Sequence, residues 1–186
     1  MEITAFLVKI AKILDQLGIP YAITGGMAVS VWGRVRHTAD VDIIVELAPK
    51  NIKDLVQELM KFDKDVYVSK EAIIEALKHK GEFNFIDPNT RLKADFWIVK
   101  DYFAEEEIKR AVAKDIQGYK VNFVCPEDLI LSKLLWYKTT ESTRQLEDIE
   151  SVISISEVDL PYLRETAQRQ DSLQLLETLI KKVGEK

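Results

Sequence analysis

Cysteine and long apolar runs are scarce in this sequence, and each shortage excludes a class of protein. Among 186 residues Cys125 is the single cysteine, so neither an intrachain disulfide nor a cysteine-based metal site can form. No apolar run is long enough to span a bilayer, and Lys9, Lys12 and Asp15 interrupt the first one, unlike the core of a signal peptide. We therefore expect a cytoplasmic protein with no membrane partner.

The sequence also lacks a net positive charge. The chain has 26 Lys and Arg against 31 Asp and Glu, a formal net charge of -5 and a pI of about 5.2. Strong non-specific binding to nucleic acid needs many cationic contacts to phosphate, so this balance disfavours it. A local basic rim remains compatible with the sequence, because Arg34, Arg36 and His37 are clustered.

The chain has enough apolar residues for a hydrophobic core, and these residues follow two patterns along the sequence. Hydrophobic residues make up 47% and charged residues 31%, the balance of a folded domain. The front part mixes strand alternation with helical spacing, whereas residues 126–183 show helical spacing alone. This predicts an α/β (α+β) fold in two parts: a core at residues 1–125 and a C-terminal helical segment at residues 126–186, packed on the core.

The periodicity also predicts approximate bounds for the elements. Strands are predicted at 21–24, 40–45, 82–86, 91–99 and 121–124, with a turn at 87–90 that makes a hairpin. Helices are predicted at 3–17, 27–32, 50–62, 71–80, 102–112, 127–137, 143–153, 158–168 and 172–183. Gly18 is predicted to end the first helix, and a capping-box-like stretch from Ser156 to start the helix at 158–168.

A pair of glycines separates the strand at 21–24 from the helix that follows. Gly25 and Gly26 tolerate positive φ and let a ligand approach the main chain closely. Free N–H groups at the start of the next helix suit a phosphate. Two glycines alone are more often a plain turn, so their meaning depends on the residues that lie nearby.

Three aspartates provide that context. Asp40 and Asp42 stand two apart in a predicted strand, so both carboxylates project from one face. Such charges repel each other without a cation, and hard divalent ions take oxygen ligands from carboxylates and phosphates. Asp95, in the middle of another predicted strand, is the candidate third ligand, and its alternative interpretation is a solvent-facing residue. A phosphate-binding turn with a carboxylate cluster suggests two-metal phosphoryl or nucleotidyl transfer, with two Mg²⁺ (or Mn²⁺) ions.

Residues 19–150 resemble the nucleotidyltransferase superfamily that includes DNA polymerase beta. The shared pattern is a Gly-Gly or Gly-Ser turn, a short helix, a D-x-[DE] strand and a later strand Asp. The version here, Gly25–Gly26 followed by the stretch Arg36–Asp42, is most similar to the abortive-infection nucleotidyltransferase toxins of bacterial toxin–antitoxin pairs. The resemblance implies a nucleotidyltransferase-fold mixed sheet flanked by helices, with catalytic and metal-ligating roles for Asp40, Asp42 and Asp95.

The resemblance continues into the C-terminal segment. Residues 126–134 are similar to the segment that opens the helical part of those toxins, where a lysine matching Lys133 faces the nucleotide phosphates. The alternative for Lys133 is a solvated helix lysine. Arg144 and Asp148 resemble a further Arg/Asp pair of that group, although an ordinary i,i+4 ion pair has the same spacing. The nucleotide-binding residues implied by the resemblance are Gly25, Gly26, Arg36, Thr38 and Lys133.

The resulting hypothesis is a metal-dependent nucleotidyltransferase that moves NMP from an NTP to a hydroxyl group and releases pyrophosphate. The residues leave open which NTP is used, the oligomeric state, and whether the acceptor is a tRNA end, a protein hydroxyl or a small antibiotic-like alcohol. Family members with a large C-terminal substrate domain are longer, so the acceptor site is either incomplete or built with a partner protein. The alternatives are a non-catalytic nucleotide-binding or antitoxin-like module, and an aminoglycoside-type small-molecule nucleotidyltransferase.

Overall fold

The chain folds into two compact units. A computed structural model describes residues 2–62 and 66–185. The first unit contains the described residues up to Met27 and those from His37 to Val124. The second contains Ala28–Arg36 and the described residues from Cys125 onward. Among the predicted site residues, Arg36 and Lys133 therefore belong to the second unit, and the others belong to the first.

The first unit is built on one mixed sheet. Its strands are β1 (Tyr21–Ile23), β2 (Asp40–Val45), β3 (Glu82–Ile86), β4 (Lys93–Ile98), β5 (Val112–Ile116) and β6 (Tyr119–Phe123). They lie in the order β3-β4-β2-β1-β6-β5. β2 runs parallel to β4 and β1 runs parallel to β6, while the other neighbouring pairs are antiparallel. The predicted mixed α/β class is confirmed.

The helices of the first unit are α1 (Glu2–Gln16), α3 (Ile52–Met60), α4 (Lys70–His79) and α5 (Tyr102–Lys109), with the start of α2 (Gly25–Trp32) and a 3-10 turn at Pro49–Asn51. The apolar face of α1 is buried, and the Phe6 ring stacks on Phe85 of β3 at a centroid distance of 6.1 Å. The chain leaves α1 through Gly18, whose φ of +61° matches its predicted role as the helix stop.

The second unit is helical apart from its loops. Its helices are α6 (Pro126–Thr140), α7 (Thr143–Ile155), α8 (Leu160–Arg169) and α9 (Leu173–Gly184), together with most of α2. α6 packs against α7 and α8, and α9 contacts the same two helices. Among the described helices of both units, none combines the length and apolarity needed to cross a membrane.

Two local predictions were wrong. The helix predicted to reach residue 112 ends at Lys109, and the strand β5, which was not predicted, begins at Val112. β5 is an edge strand whose side chains are mostly exposed, so it lacks the buried alternation that marks the other strands. Its signal was the two-residue turn Gln117–Gly118, with φ of 54° and 80°, which closes the β5–β6 hairpin.

The second error concerns the start of α8. Asp159, rather than Ser156, caps this helix, because its side chain accepts a hydrogen bond from the Tyr162 N–H at 3.0 Å. The Ser156 hydroxyl instead donates to the Trp32 carbonyl at 2.6 Å. Both Ser and Asp are good capping residues, so the sequence pattern did not distinguish them.

Candidate active site

The turn that begins at Gly25 is pressed against Asp42. The Thr24 N–H at the end of β1 donates to the Asp42 carbonyl of β2 at 2.9 Å. The chain then enters α2 through Gly25, whose φ is +58°. A Cβ atom built on Gly25 would lie 1.9 Å from Asp42 Oδ2, so a larger residue there would force the Asp42 carboxylate to move. Glycine is therefore favoured both by its positive φ and by the close approach of the carboxylate.

The strand register places Asp42 beside Asp95. β2 and β4 run parallel with Asp42 opposite Asp95 and Asp40 opposite Lys93. Paired residues of neighbouring strands point to the same side, and residues two apart in one strand do too. Val41, which points to the opposite side, is fully buried in the core. The three aspartates therefore project from one face of two adjacent strands.

Lys93 places a cation among these carboxylates. Its Nζ donates to Asp95 Oδ2 at 2.8 Å and lies 4.0 Å from Asp40 Oδ2. The hydrogen bond to Asp95 raises the pKa of the Lys93 ammonium, and the charges of the neighbouring carboxylates add to this shift. Three carboxylates and one ammonium leave the cluster with an excess of negative charge.

The donor set of this face suits a hard divalent cation. Carboxylate oxygens are the ligands that Mg²⁺ and Mn²⁺ take in proteins, and the missing Cβ of Gly25 leaves room for Asp42 Oδ2 beside the main chain. Across residues 2–62 and 66–185, however, no three Asp, Glu, His or Cys side chains form a ready-made metal site. The residues fit the metal by their chemistry, and their roles as ligands stay a prediction.

A second charged cluster lies within the helical unit. Lys133 of α6 is 6% exposed and donates to Asp148 Oδ2 of α7 at 2.7 Å and to Gln145 Oε1 at 3.0 Å. Arg36 Nε lies 3.2 Å from Asp148 Oδ1, without the alignment of a hydrogen bond. Two cations thus contact one buried carboxylate, and the cluster has an excess of positive charge. Lys133 is not the solvated helix lysine of the alternative interpretation.

The loop that carries Arg36 is anchored to α7. The Arg34 N–H donates to Ser151 Oγ at 2.6 Å, and a Cβ on Gly33 would lie 2.6 Å from that same oxygen. The Arg36 N–H donates to Ser30 Oγ of α2 at 3.3 Å. These bonds hold the backbone where the Arg36 side chain can reach Asp148.

The remaining predicted residues have more local contacts. The Thr38 hydroxyl donates to the Asp40 carbonyl at 3.1 Å, so it orders the entry to β2. Arg144 is exposed, and Asp148 is held by Lys133 and Arg36 instead. Sequence reasoning missed Lys93, although its position two residues before Asp95 already placed both on one strand face.

Comparison with known proteins adds a family to this geometry. A protein-family model described as "Nucleotidyltransferase of unknown function (DUF6036)" matches residues 1–181. No similar sequence was found among curated proteins.

Solved structures share the fold. One is the crystal structure of an antigenic nucleotidyltransferase-like protein from Paracoccidioides brasiliensis, at 23% identity and a TM-score of 0.64, covering 98% of this chain and 90% of that one. Another is ANT(2'')-Ia in complex with adenylyl-2''-tobramycin, at 16% identity and a TM-score of 0.53, covering 98% of both chains. The solution structure of the same antibiotic-resistance factor has a TM-score of 0.50 at 16% identity, covering 96% of this chain and 91% of that one.

Proposed function

The chain belongs to this nucleotidyltransferase family, and from that premise we propose that it transfers NMP from an NTP to a hydroxyl acceptor with release of pyrophosphate. The observation that carries the proposal is the common face of Asp40, Asp42 and Asp95, with Gly25 against the Asp42 carboxylate. A phosphate-binding turn and a set of carboxylates are the two parts that such a transfer needs.

In the proposed site the first turn of α2, which begins at Gly25 and Gly26, binds the phosphates of the NTP. Asp40, Asp42 and Asp95 would hold two Mg²⁺ or Mn²⁺ ions, which when bound lower the pKa of the acceptor hydroxyl and offset the charge of the leaving pyrophosphate.

The acceptor oxygen forms a bond to the α-phosphorus, and the bond from that phosphorus to the oxygen bridging the β-phosphate breaks. The hydroxyl proton passes to the Asp95 carboxylate, and the electron pair of the broken bond leaves with pyrophosphate. For Arg36 and Lys133, which belong to the second unit, a role in binding the phosphates stays a prediction from the resemblance. The chain thus contributes mainly geometry and charge.

For the acceptor we propose a small hydroxyl compound. The net charge of -5 disfavours a large RNA footprint. ANT(2'')-Ia, which shares the fold along 98% of both chains, was solved with an adenylylated aminoglycoside.

The test is a labelling experiment with separate acceptors. The protein is incubated with each α-labelled NTP and Mg²⁺ or Mn²⁺, together with an aminoglycoside panel, cell RNA or cell protein. We expect label on a small molecule, with release of pyrophosphate and none of either in EDTA. Label on RNA or protein would reassign the acceptor and favour the toxin-like function. Calorimetric titration with each NTP complements this, since equal affinity in EDTA and in Mg²⁺ would contradict the two-metal proposal.

A second candidate is a non-catalytic nucleotide-binding or antitoxin-like module. It is favoured by one contact, the 2.8 Å bond between Lys93 and Asp95, because an ammonium partner makes a carboxylate stable without any metal. Absence of labelling with every acceptor, together with tight binding of a partner protein, would support this candidate over the enzyme.

A further inference from the structure

We infer that Lys93 is a positioning residue: a built-in counter-ion that holds the Asp95 carboxylate until a divalent cation displaces it. This inference rests on the proposed metal-dependent transfer, and it names a residue and a regulation that the transfer itself does not require. Lys93 lies opposite Asp40, which is on the neighbouring strand β2. In its own strand, β4, it stands two residues before Asp95.

The contacts show a cation directed inward over the acidic face. Lys93 Nζ is 2.8 Å from Asp95 Oδ2 and 4.0 Å from Asp40 Oδ2, and its side chain is 34% exposed. A lysine that served solubility would extend into water, as Lys120 does at 71% side-chain exposure. On the other flank of β4, the residue opposite Asp95 is Asn84 of β3, which brings no charge.

The charge balance explains why a cation is needed there. Without Lys93, Asp40, Asp42 and Asp95 would be three like charges on one face of two adjacent strands, and their repulsion would destabilise the metal-free protein. The ammonium offsets part of that repulsion and orients the Asp95 carboxylate.

The same contact opposes metal binding. A divalent ion that binds Asp95 Oδ2 competes with the Lys93 ammonium for that oxygen, and it also meets a positive charge within a few ångströms. Lys93 therefore stabilises the metal-free state and weakens the metal-bound state. A residue that only packed against its neighbours would not change these two quantities in opposite directions.

The test uses the whole protein and the metal alone. Lys93→Met keeps the chain length and removes the charge, Lys93→Gln also keeps a hydrogen-bond donor, and Lys93→Arg keeps the charge. Lys120→Met is the matched control, because Lys120 is a strand lysine 3.7 Å from the acid Asp115, which lies opposite it on the neighbouring strand. Mn²⁺ affinity is measured by electron paramagnetic resonance, and the melting temperature is measured in EDTA and in saturating Mn²⁺.

We expect Lys93→Met and Lys93→Gln to bind Mn²⁺ on the order of tenfold more tightly than the wild type, since a repelling unit charge is lost. Both should melt at a lower temperature than the wild type in EDTA, with a smaller difference in Mn²⁺. Lys93→Arg and Lys120→Met should resemble the wild type in Mn²⁺ affinity. If Lys93→Met does not fold, the same measurements on Lys93→Gln test the inference.

Equal or weaker Mn²⁺ affinity in the neutral variants would overturn the inference. The expected affinity pattern without any nucleotidyl transfer would support the inference and contradict the proposed function. Mn²⁺ binding by the neutral variants alone would overturn the inference, because Lys93 would then replace the metal permanently and no cation would displace it. Absence of binding in all proteins would contradict both.

Discussion

Each unit concentrates charge of one sign around a single residue of the other sign. In the first unit Asp40, Asp42 and Asp95 surround Lys93, and in the second unit Lys133 and Arg36 contact Asp148. The acidic cluster is the more open one: the side chains of Asp40 and Lys93 are 46% and 34% exposed, and that of Asp95 is 15% exposed. The Lys133–Asp148 pair is closed, at 7% and 6%.

Because the two clusters differ in burial, we expect mutations in them to have different effects. Exposed ion pairs contribute little to the free energy of unfolding, because water and salt screen them. Breaking a buried pair is costly, because the remaining charge has no partner and no water. Changes in the open acidic cluster should therefore act mainly on function, and changes in the buried cluster should act on stability as well.

The largest expected effect is on catalysis, from the open cluster. Asp42→Ala should reduce nucleotidyl transfer by at least about a thousandfold, because a proposed ligand of the catalytic metal ions is lost. Stability should change little, since Asp42 is only half-buried and functional carboxylates are seldom optimal for stability. Initial labelling rates and urea unfolding measure the two quantities, with Asp54→Ala on the exposed face of α3 as the control. Full labelling by Asp42→Ala would show that nucleotidyl transfer does not take place at this face of the sheet.

In the buried cluster we expect mutation to have a large effect on stability. Asp148→Ala removes the buried carboxylate that both Lys133 and Arg36 contact, so the free energy of unfolding should fall by about 3–5 kcal/mol. The matched control is Glu177→Ala, which breaks the exposed pair with Arg164 in the same unit and should change stability little. Urea unfolding compares them, and equal losses would show that burial does not distinguish the two kinds of pair.

A smaller effect is expected on nucleotide affinity. Lys133→Ala should weaken NTP binding by about 1–3 kcal/mol if its ammonium makes a charge-assisted contact to phosphate. Lys138→Ala, on the same helix but bonded to the Gln170 and Asp171 carbonyls, should leave NTP affinity unchanged. Isothermal titration at a temperature where each variant is folded makes the comparison. Unchanged affinity in Lys133→Ala would restrict this lysine to a structural role.

The last comparison, with the smallest energy change among the site residues, uses two glycines with similar positive φ. Gly18 and Gly25 have φ of +61° and +58°, so alanine at either should cost about 1–2 kcal/mol of strain. A Cβ at Gly18 meets nothing within 4 Å, whereas a Cβ at Gly25 meets the Asp42 carboxylate. Gly25→Ala alone should therefore weaken Mn²⁺ binding and transfer. An equal loss of Mn²⁺ affinity in Gly18→Ala would show that the contact with Asp42 is unimportant.

Much of the candidate site could be predicted because it depends on residues close together in the chain. The two-residue spacing of Asp40 and Asp42 already places both on one strand face. The Gly25–Gly26 pair marks the turn by its freedom of φ. The edge strand β5 was missed because its side chains are mostly exposed and its pattern carries no buried face.

Contacts between residues that are far apart in the sequence could not be predicted from such local patterns. The sequence alone determined which residues alternate, which can turn, and that the chain carries a mixed core with helices after it. The tertiary structure decided that β4 lies beside β2 with Asp95 opposite Asp42, that Lys93 reaches two of the carboxylates, and that Asp148 binds two cations. Periodicity is a property of consecutive residues, whereas register and the sharing of a counter-ion depend on which strands and helices pack together.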